Sequence, residues 1–309
     1  MRLLKLPAGS IGRFTFKRKP QMRTHCPAEV PVAMWVAVCG MILGASDSSL
    51  AQGILEALRR EVRTERDRDS HQRDRRRVRE RDVRESDDDR RDFLAGMALR
   101  GLTLPFWGPP IVLEDNYRDY GEFFSYPYKR GATGMMVVDP AHHALTKVWH
   151  MRTRGEYLQS FSGFSSVGGQ VLVDTLPRLG LDSEFYHRQE NLPAGRRDSL
   201  WTGDLNVLLR FAQSPLVQMR TGLGVNWLSD AVDRDYGFNF TYGGDLMFRD
   251  PWILSAEIDA GTLGSATLLH GRLTVGVQRR HVEVYTGYDY FRVGHMTIDG
   301  CLAGVRLWF

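Results

Sequence analysis

His281 and Glu283 stand two residues apart, which puts both side chains on one face of an extended strand, and a histidine beside a carboxylate can exchange protons with a bound substrate. Ser255 falls on the polar parity of a neighbouring run and offers a hydroxyl. A hydrolytic site needs more than this: a nucleophile on a sharp elbow and a third group that orients the base. Ser255 lies in the run Leu254-Ser255-Ala256-Glu257 with no such elbow, and no spacing supplies the third partner. His142, His143 and His150 offer imidazole nitrogens to a metal, but no carboxylate or cysteine completes a ligand set at a familiar spacing. Solvated loop histidines are the plainer reading. The glycines of Gly222-Leu223-Gly224 and Gly261-Thr262-Leu263-Gly264 mark turns and crowded positions, since no helix follows that would make them a phosphate loop. The sequence therefore points to no enzyme, no cofactor and no metal.

A larger set of polar residues shares one side of a strand pattern. Asp182, Glu184, Asp204, Glu257, Asp259, Glu283 and Asp289 fall on that side, together with Arg178, Arg210, Arg220, Arg272 and Arg306. Enclosed charges of this kind avoid a large desolvation penalty only by pairing with one another and with water. Two roles follow from that arrangement: a narrow ion path, or a polar filling that stabilises its container. The filling is the expectation.

The elements that carry these residues are strands. Trp201, Leu205, Val207, Leu209 and Phe211 alternate with Thr202, Asp204, Asn206 and Arg210. Val217, Met219, Leu223, Val225 and Trp227 alternate with Gln218, Arg220, Gly222, Gly224 and Asn226. The same rhythm continues through residues 235–246, 252–261, 272–278 and 281–290, and period two is the strand signature. Short separators such as Gln213-Ser214-Pro215, Arg249-Asp250-Pro251 and Arg279-Arg280 force antiparallel neighbours, because a parallel crossover needs a dozen residues or more. Residues 179–188 and 296–309 add strands, and 156–164 and 167–175 add weaker ones, for eight to ten in all. A meander that long leaves two sticky edges unless it closes. The expected fold class is all-β, an antiparallel up-and-down β-barrel over residues 155–309.

The first half reads differently. Arg13, Lys17, Arg18, Lys19 and Arg23 precede the apolar run Val30–Ala45, and Ser49-Leu50-Ala51 gives small residues at −3 and −1 before Gln52. Residues 1–51 are thus expected to be a signal peptide, the run being shorter than the roughly 20 residues of a spanning helix. An uncleaved anchor is the alternative, and Met22 is an alternative start. Val38 ahead of Cys39 argues against lipoprotein attachment, and once a leader is removed Cys301 is the last cysteine, so no internal disulfide forms. Residues 52–92 form a charged low-complexity spacer: Leu55 to Asp92 holds 14 arginines and 13 acidic residues, too few apolar groups to offset ordering. It is read as a solvated segment, disordered or loosely helical, open to a cell-wall or periplasmic partner. Its acids cancel the positive charge that nucleic acid would need. Residues 93–154 are an aromatic-rich linker or cap, dense in the stretch Tyr117–Tyr128 and without a clean period.

Overall composition decides little: 309 residues carry a net charge of +4, and the mean hydropathy of −0.33 does not argue against a barrel, where only alternate residues meet lipid. The location rests on other features. Aromatics gather near strand ends, at Trp201, Phe211, Trp227, Tyr236, Phe248, Trp252 and Tyr290, as in the girdles of membrane interfaces. The chain closes on Leu302–Phe309 (LAGVRLWF), with Ala303, Val305, Leu307 and Phe309 on one face. This ending resembles the terminal strand of bacterial outer-membrane β-barrel proteins, which implies that Phe309 serves as an assembly signal for the barrel-assembly machinery. The resemblance implies an outer-membrane location, lipid on the apolar face, and a structural, anchoring or narrow-channel role. A soluble exported barrel, periplasmic or secreted, with an apolar ligand inside fits the same alternation, and an outer-membrane barrel hydrolase is a third reading.

Overall fold

The computed structural model describes residues 53–63, 103–116, 121–138, 146–160, 164–193 and 196–309. Expectations for the leader, for most of the charged spacer and for His142 and His143 lie outside these residues.

Ten strands close into one antiparallel barrel. They are β3 (Trp149–Ser160), β4 (Phe164–Thr175), β5 (Leu179–Asn191), β6 (Arg197–Gln213), β7 (Val217–Ser229), β8 (Arg234–Arg249), β9 (Trp252–Leu263), β10 (Ala266–Arg279), β11 (Val282–Val293) and β12 (Met296–Trp308). Each pairs with its sequence neighbour, and β12 returns to β3 with Val305 opposite Gly155, so no edge is left open. The first barrel strand starts at Trp149, ahead of the expected boundary at residue 155. Its inward residues His150, Arg152, Arg154 and Glu156 give that stretch the look of a linker.

Connections between strands are two to five residues long at both ends of the barrel. Gly264, Arg280 and Gly294 hold the positive φ that tight hairpins of this twist require. The end where β3 begins and β12 finishes is called here the near end, and the opposite one the far end.

Apolar and polar faces are inverted relative to a water-soluble barrel. Val207, Leu223 and Phe238 point outward and are 59%, 58% and 52% exposed, and Leu181, Phe185, Leu205, Ile258 and Leu273 continue the belt. The inner face carries arginines, carboxylates, asparagines and glutamines along most of its length. Glycines on this face let strands come close. A Cβ on Gly224 would stand 2.0 Å from the Leu205 carbonyl oxygen, which as backbone cannot step aside. Gly224→Ala is expected to cost about 1–3 kcal/mol through overpacking, read as a lower urea midpoint of the refolded barrel.

Two further pieces close the ends. The hairpin β1 (Gly121–Phe123) and β2 (Met136–Val138) lies over the near end. Phe123, Met135 and Met136 pack there against Met247, Ile253 and Trp308, and the Phe123 amide donates to the Lys147 carbonyl. The aromatic-rich region 93–154 therefore includes a cap. Helix α1, residues 54–63, seals the far end. Its Leu55, Leu58 and Val62 recur at helical spacing and are buried against Leu158, Phe164, Leu200, Leu228, Leu263 and Leu268. This corrects the solvated-spacer reading for its first residues: charge is dense there, but one helical stripe is apolar. Helix α2, residues 103–112, lies outside the wall, with Phe106 ringed by Phe211, Phe240 and Tyr242 and the Tyr242 hydroxyl donating to the Pro105 carbonyl. Among the described residues no helix is long and apolar enough to cross a membrane, a test that leaves strands untouched.

Candidate functional site

Among the described residues, the barrel interior gathers most of the buried charged and polar side chains. The hairpin register sets which side chains meet. Glu184 on β5 and Arg154 on β3 are both one strand away from Gln170 of β4, and Arg272 on β10 reaches across the lumen to them. Arg154 pairs with Glu184, and Arg272 lies 3.2 Å from Glu156 and from Glu184, 3.3 Å from Glu257 and 3.3 Å from Asp289. Tyr186 and Tyr285 donate to the two oxygens of Glu156 at 2.5 and 2.6 Å.

Toward the near end a second group forms. Arg152 contacts Asp245 at 2.8 Å, Arg220 pairs with the same carboxylate, and Arg210 and Arg220 flank Asp174 at 3.4 and 3.5 Å. Arg306 donates to Glu283 at 2.7 Å, to Thr274 at 2.7 Å and to Ser255 at 3.1 Å, while the Trp308 indole donates to Glu283 at 3.0 Å. Toward the far end His270 is held between Asp259 (3.1 Å) and Asp289 (2.8 Å), and the Asn206 amide donates to Asp204 at 2.8 Å.

All eleven residues expected on the polar face, Asp182, Glu184, Asp204, Arg210, Arg220, Glu257, Asp259, Arg272, Glu283, Asp289 and Arg306, therefore sit inside the barrel. Arg178 is buried at the near-end rim instead, where it pairs with Asp115 at 2.7 Å. Arg152, Arg154, Glu156, Asp174, Asp245 and His270 belong to the network and were not singled out from sequence. His270 lies two residues before Arg272 on the same parity, so extending that alternating run would have found it.

The candidate chemical pair does not assemble. His281 is exposed in the β10–β11 turn with Nδ1 at 2.6 Å from the Trp308 carbonyl oxygen, while Glu283 points inward to Arg306 and Trp308. Shared parity fixes a face and not a depth. Ser255 donates to Asp245 at 2.6 Å and is part of the interior network. His150 is buried between the Phe123 and Trp308 rings. Asp182, Glu184 and Glu257 bring oxygens within 4.8 Å of one another, yet Arg154 and Arg272 already supply the positive charge beside Glu184 and Glu257. Two interior gaps, one beside Asp245 and one beside His270, measure about 20 Å³ each, room for a water or so.

No protein-family model matches the chain. No curated protein matches it either. Among solved structures it is similar to the outer membrane protease OmpT of Escherichia coli, at 10% identity over 52% of this chain and 94% of that one, with a TM-score of 0.32. The fold assignment rests on this chain's own strand pairing.

The far-end cap is itself held by polar contacts to the barrel rim. The Ile54 and Leu55 amides donate to the two Glu190 oxygens at 3.0 and 2.9 Å, so a carboxylate from the barrel rim caps the positive end of α1. Arg59 reaches Asp198 at 2.5 Å and Asp230 at 2.8 Å, and Arg63 reaches Asp230 and Asp235 at 3.2 Å. Burial alone would raise the Asp230 carboxyl, but amides of Asp233 and Val232 and the guanidiniums of Arg63 and Arg59 outweigh it and hold it below the ordinary carboxylate range. A depressed carboxyl stabilises docking above its unfolded pKa and stops doing so as pH falls through the depressed value. A dye on Arg60→Cys, with the native cysteines changed to Ser, is therefore expected to keep high anisotropy in micelles down to about pH 4 and to lose it only below.

Proposed function

We propose that this chain is an outer-membrane β-barrel with a structural or anchoring role and a closed interior. One observation carries the reading: the outward face is an apolar belt of exposed Leu, Val, Ile and Phe, and the inward face is an ion-paired network. In water that polarity would be reversed, whereas in lipid the belt meets acyl chains and backbone groups are satisfied around the closed ring. A soluble barrel for an apolar ligand is disfavoured, because its cavity would be lined by arginines and carboxylates. A narrow channel is disfavoured by the paired charges, the 20 Å³ gaps and the near-end cap. The terminal strand, with Phe309 exchanging backbone hydrogen bonds with Met151, is offered to the barrel-assembly machinery, and the charged segment is what the barrel anchors.

Cell fractionation tests this reading, with heated and unheated outer-membrane samples run side by side on a gel. A detergent-extracted, heat-modifiable band is expected, with no steady conductance from the purified barrel in a planar bilayer. Release into the soluble periplasmic fraction overturns the membrane reading, and stable conductance steps overturn the closed one.

A further inference from the structure

Helix α1 sits in the far end of the barrel, whereas the chain enters β3 from the near end, and the described residues between the two lie on the outer wall or at the near end. Helix α2 lies on the outer wall beside Phe211 and Tyr242, Asp115 pairs with Arg178 in the near-end β4–β5 turn, and β3 starts from the near-end cap. Residues 64–102 join the two ends, 39 residues with 12 arginines and 11 acidic residues. Such a segment cannot run through lipid, where each ionised side chain is costly and needs a buried partner. It cannot run through the lumen either, which the Arg154, Arg272 and Arg220 ion pairs fill.

We infer that docking of α1 in the far end and embedding of the barrel in an unbroken bilayer exclude one another, so that α1 is a plug of the uninserted barrel and leaves its seat on insertion. The inference rests on the membrane reading above. In water or a small micelle nothing bars a route around the outside, since 39 residues reach up to about 130 Å when extended. In a bilayer no such route exists. The vacated seat then presents a hydrophobic floor of Leu158, Leu200, Leu228 and Leu263 inside an acidic rim of Glu190, Asp198, Asp230 and Asp235.

The test uses the full chain with Cys26, Cys39 and Cys301 changed to Ser and with Glu61→Cys and His295→Cys added. Glu61 accepts from the His295 amide at 3.1 Å, so a short bismaleimide bridges the two sites only when α1 is seated. Efficient cross-linking is expected in micelles, falling at least about tenfold in barrels already embedded in phosphatidylcholine vesicles. Barrels locked before reconstitution are expected to enter vesicles at least about tenfold less than the Glu61→Cys single variant treated with the same reagent. Equal cross-linking in vesicles and micelles, or equal insertion of locked and single-variant barrels, overturns the inference. If the single variant itself stays out of vesicles, the membrane reading has failed, and this inference with it.

Discussion

Arg306→Met is expected to destabilise the barrel by about 3–5 kcal/mol, among the largest effects of any single interior substitution. Methionine keeps an unbranched apolar stem but ends one atom short of the guanidinium carbon, which stands 4.0 Å from the centre of the Tyr285 ring. What disappears is the charge, together with donors to Glu283, Ser255 and Thr274. Glu283, fully buried, is then left with the Trp308 indole at 3.0 Å as its neutral donor. The cost arises from stranding that carboxylate in a low-dielectric interior, so removing its charge as well should restore part of the loss. Glu283→Gln added to Arg306→Met keeps an acceptor for the indole and is expected to recover about half. Urea midpoints of the refolded barrel, followed by gel mobility of unheated samples, give both numbers. A single-variant loss under about 1 kcal/mol is the value of a solvated pair, and would mean a water-filled lumen in place of the paired filling argued above.

That network was partly visible in the sequence, and the reason lies in the period. Along β6, Thr202, Asp204, Asn206 and Arg210 alternate with Trp201, Leu205, Val207 and Leu209, and no other regular structure sorts them so. The face was therefore legible strand by strand. Partners were not, because pairing such as Arg272 with Glu184 joins positions 88 apart in the chain across the lumen. The start of β3 was missed for a physical reason: its inward residues are charged and its outward ones include Thr153 and Gly155, so the apolar contrast that marks other strands is weak there. Helix α1 was missed because counting charges between Leu55 and Asp92 averages over an apolar stripe only three residues deep. The near-end cap has no period at all. Phe123, Met135 and Met136 are held by Met247, Ile253 and Trp308, contacts set by the closed barrel and invisible to any local window.

The outer belt makes the second large prediction, and it separates lipid from water without reference to any activity. Val207 and Leu223 lie opposite each other on β6 and β7, near mid-height of the wall, and both face outward. If the belt meets acyl chains, Val207→Arg and Leu223→Arg each cost about 2–4 kcal/mol in vesicles, because a guanidinium at mid-depth must drag water or headgroups toward it. Trp201→Arg, at the far-end reach of β6, should cost about 0–1 kcal/mol, since there the side chain reaches the interface. The gradient with height is the diagnostic quantity. A soluble barrel has no depth axis, and arginine on an exposed strand position in water is close to neutral. Reversible urea unfolding in vesicles for the three variants measures the gradient directly. A mid-height cost that exceeds the rim cost by about 2 kcal/mol supports the membrane-embedded wall. Equal, near-zero costs at all three positions would leave the apolar belt without lipid, and the closed barrel would need a protein partner to cover it.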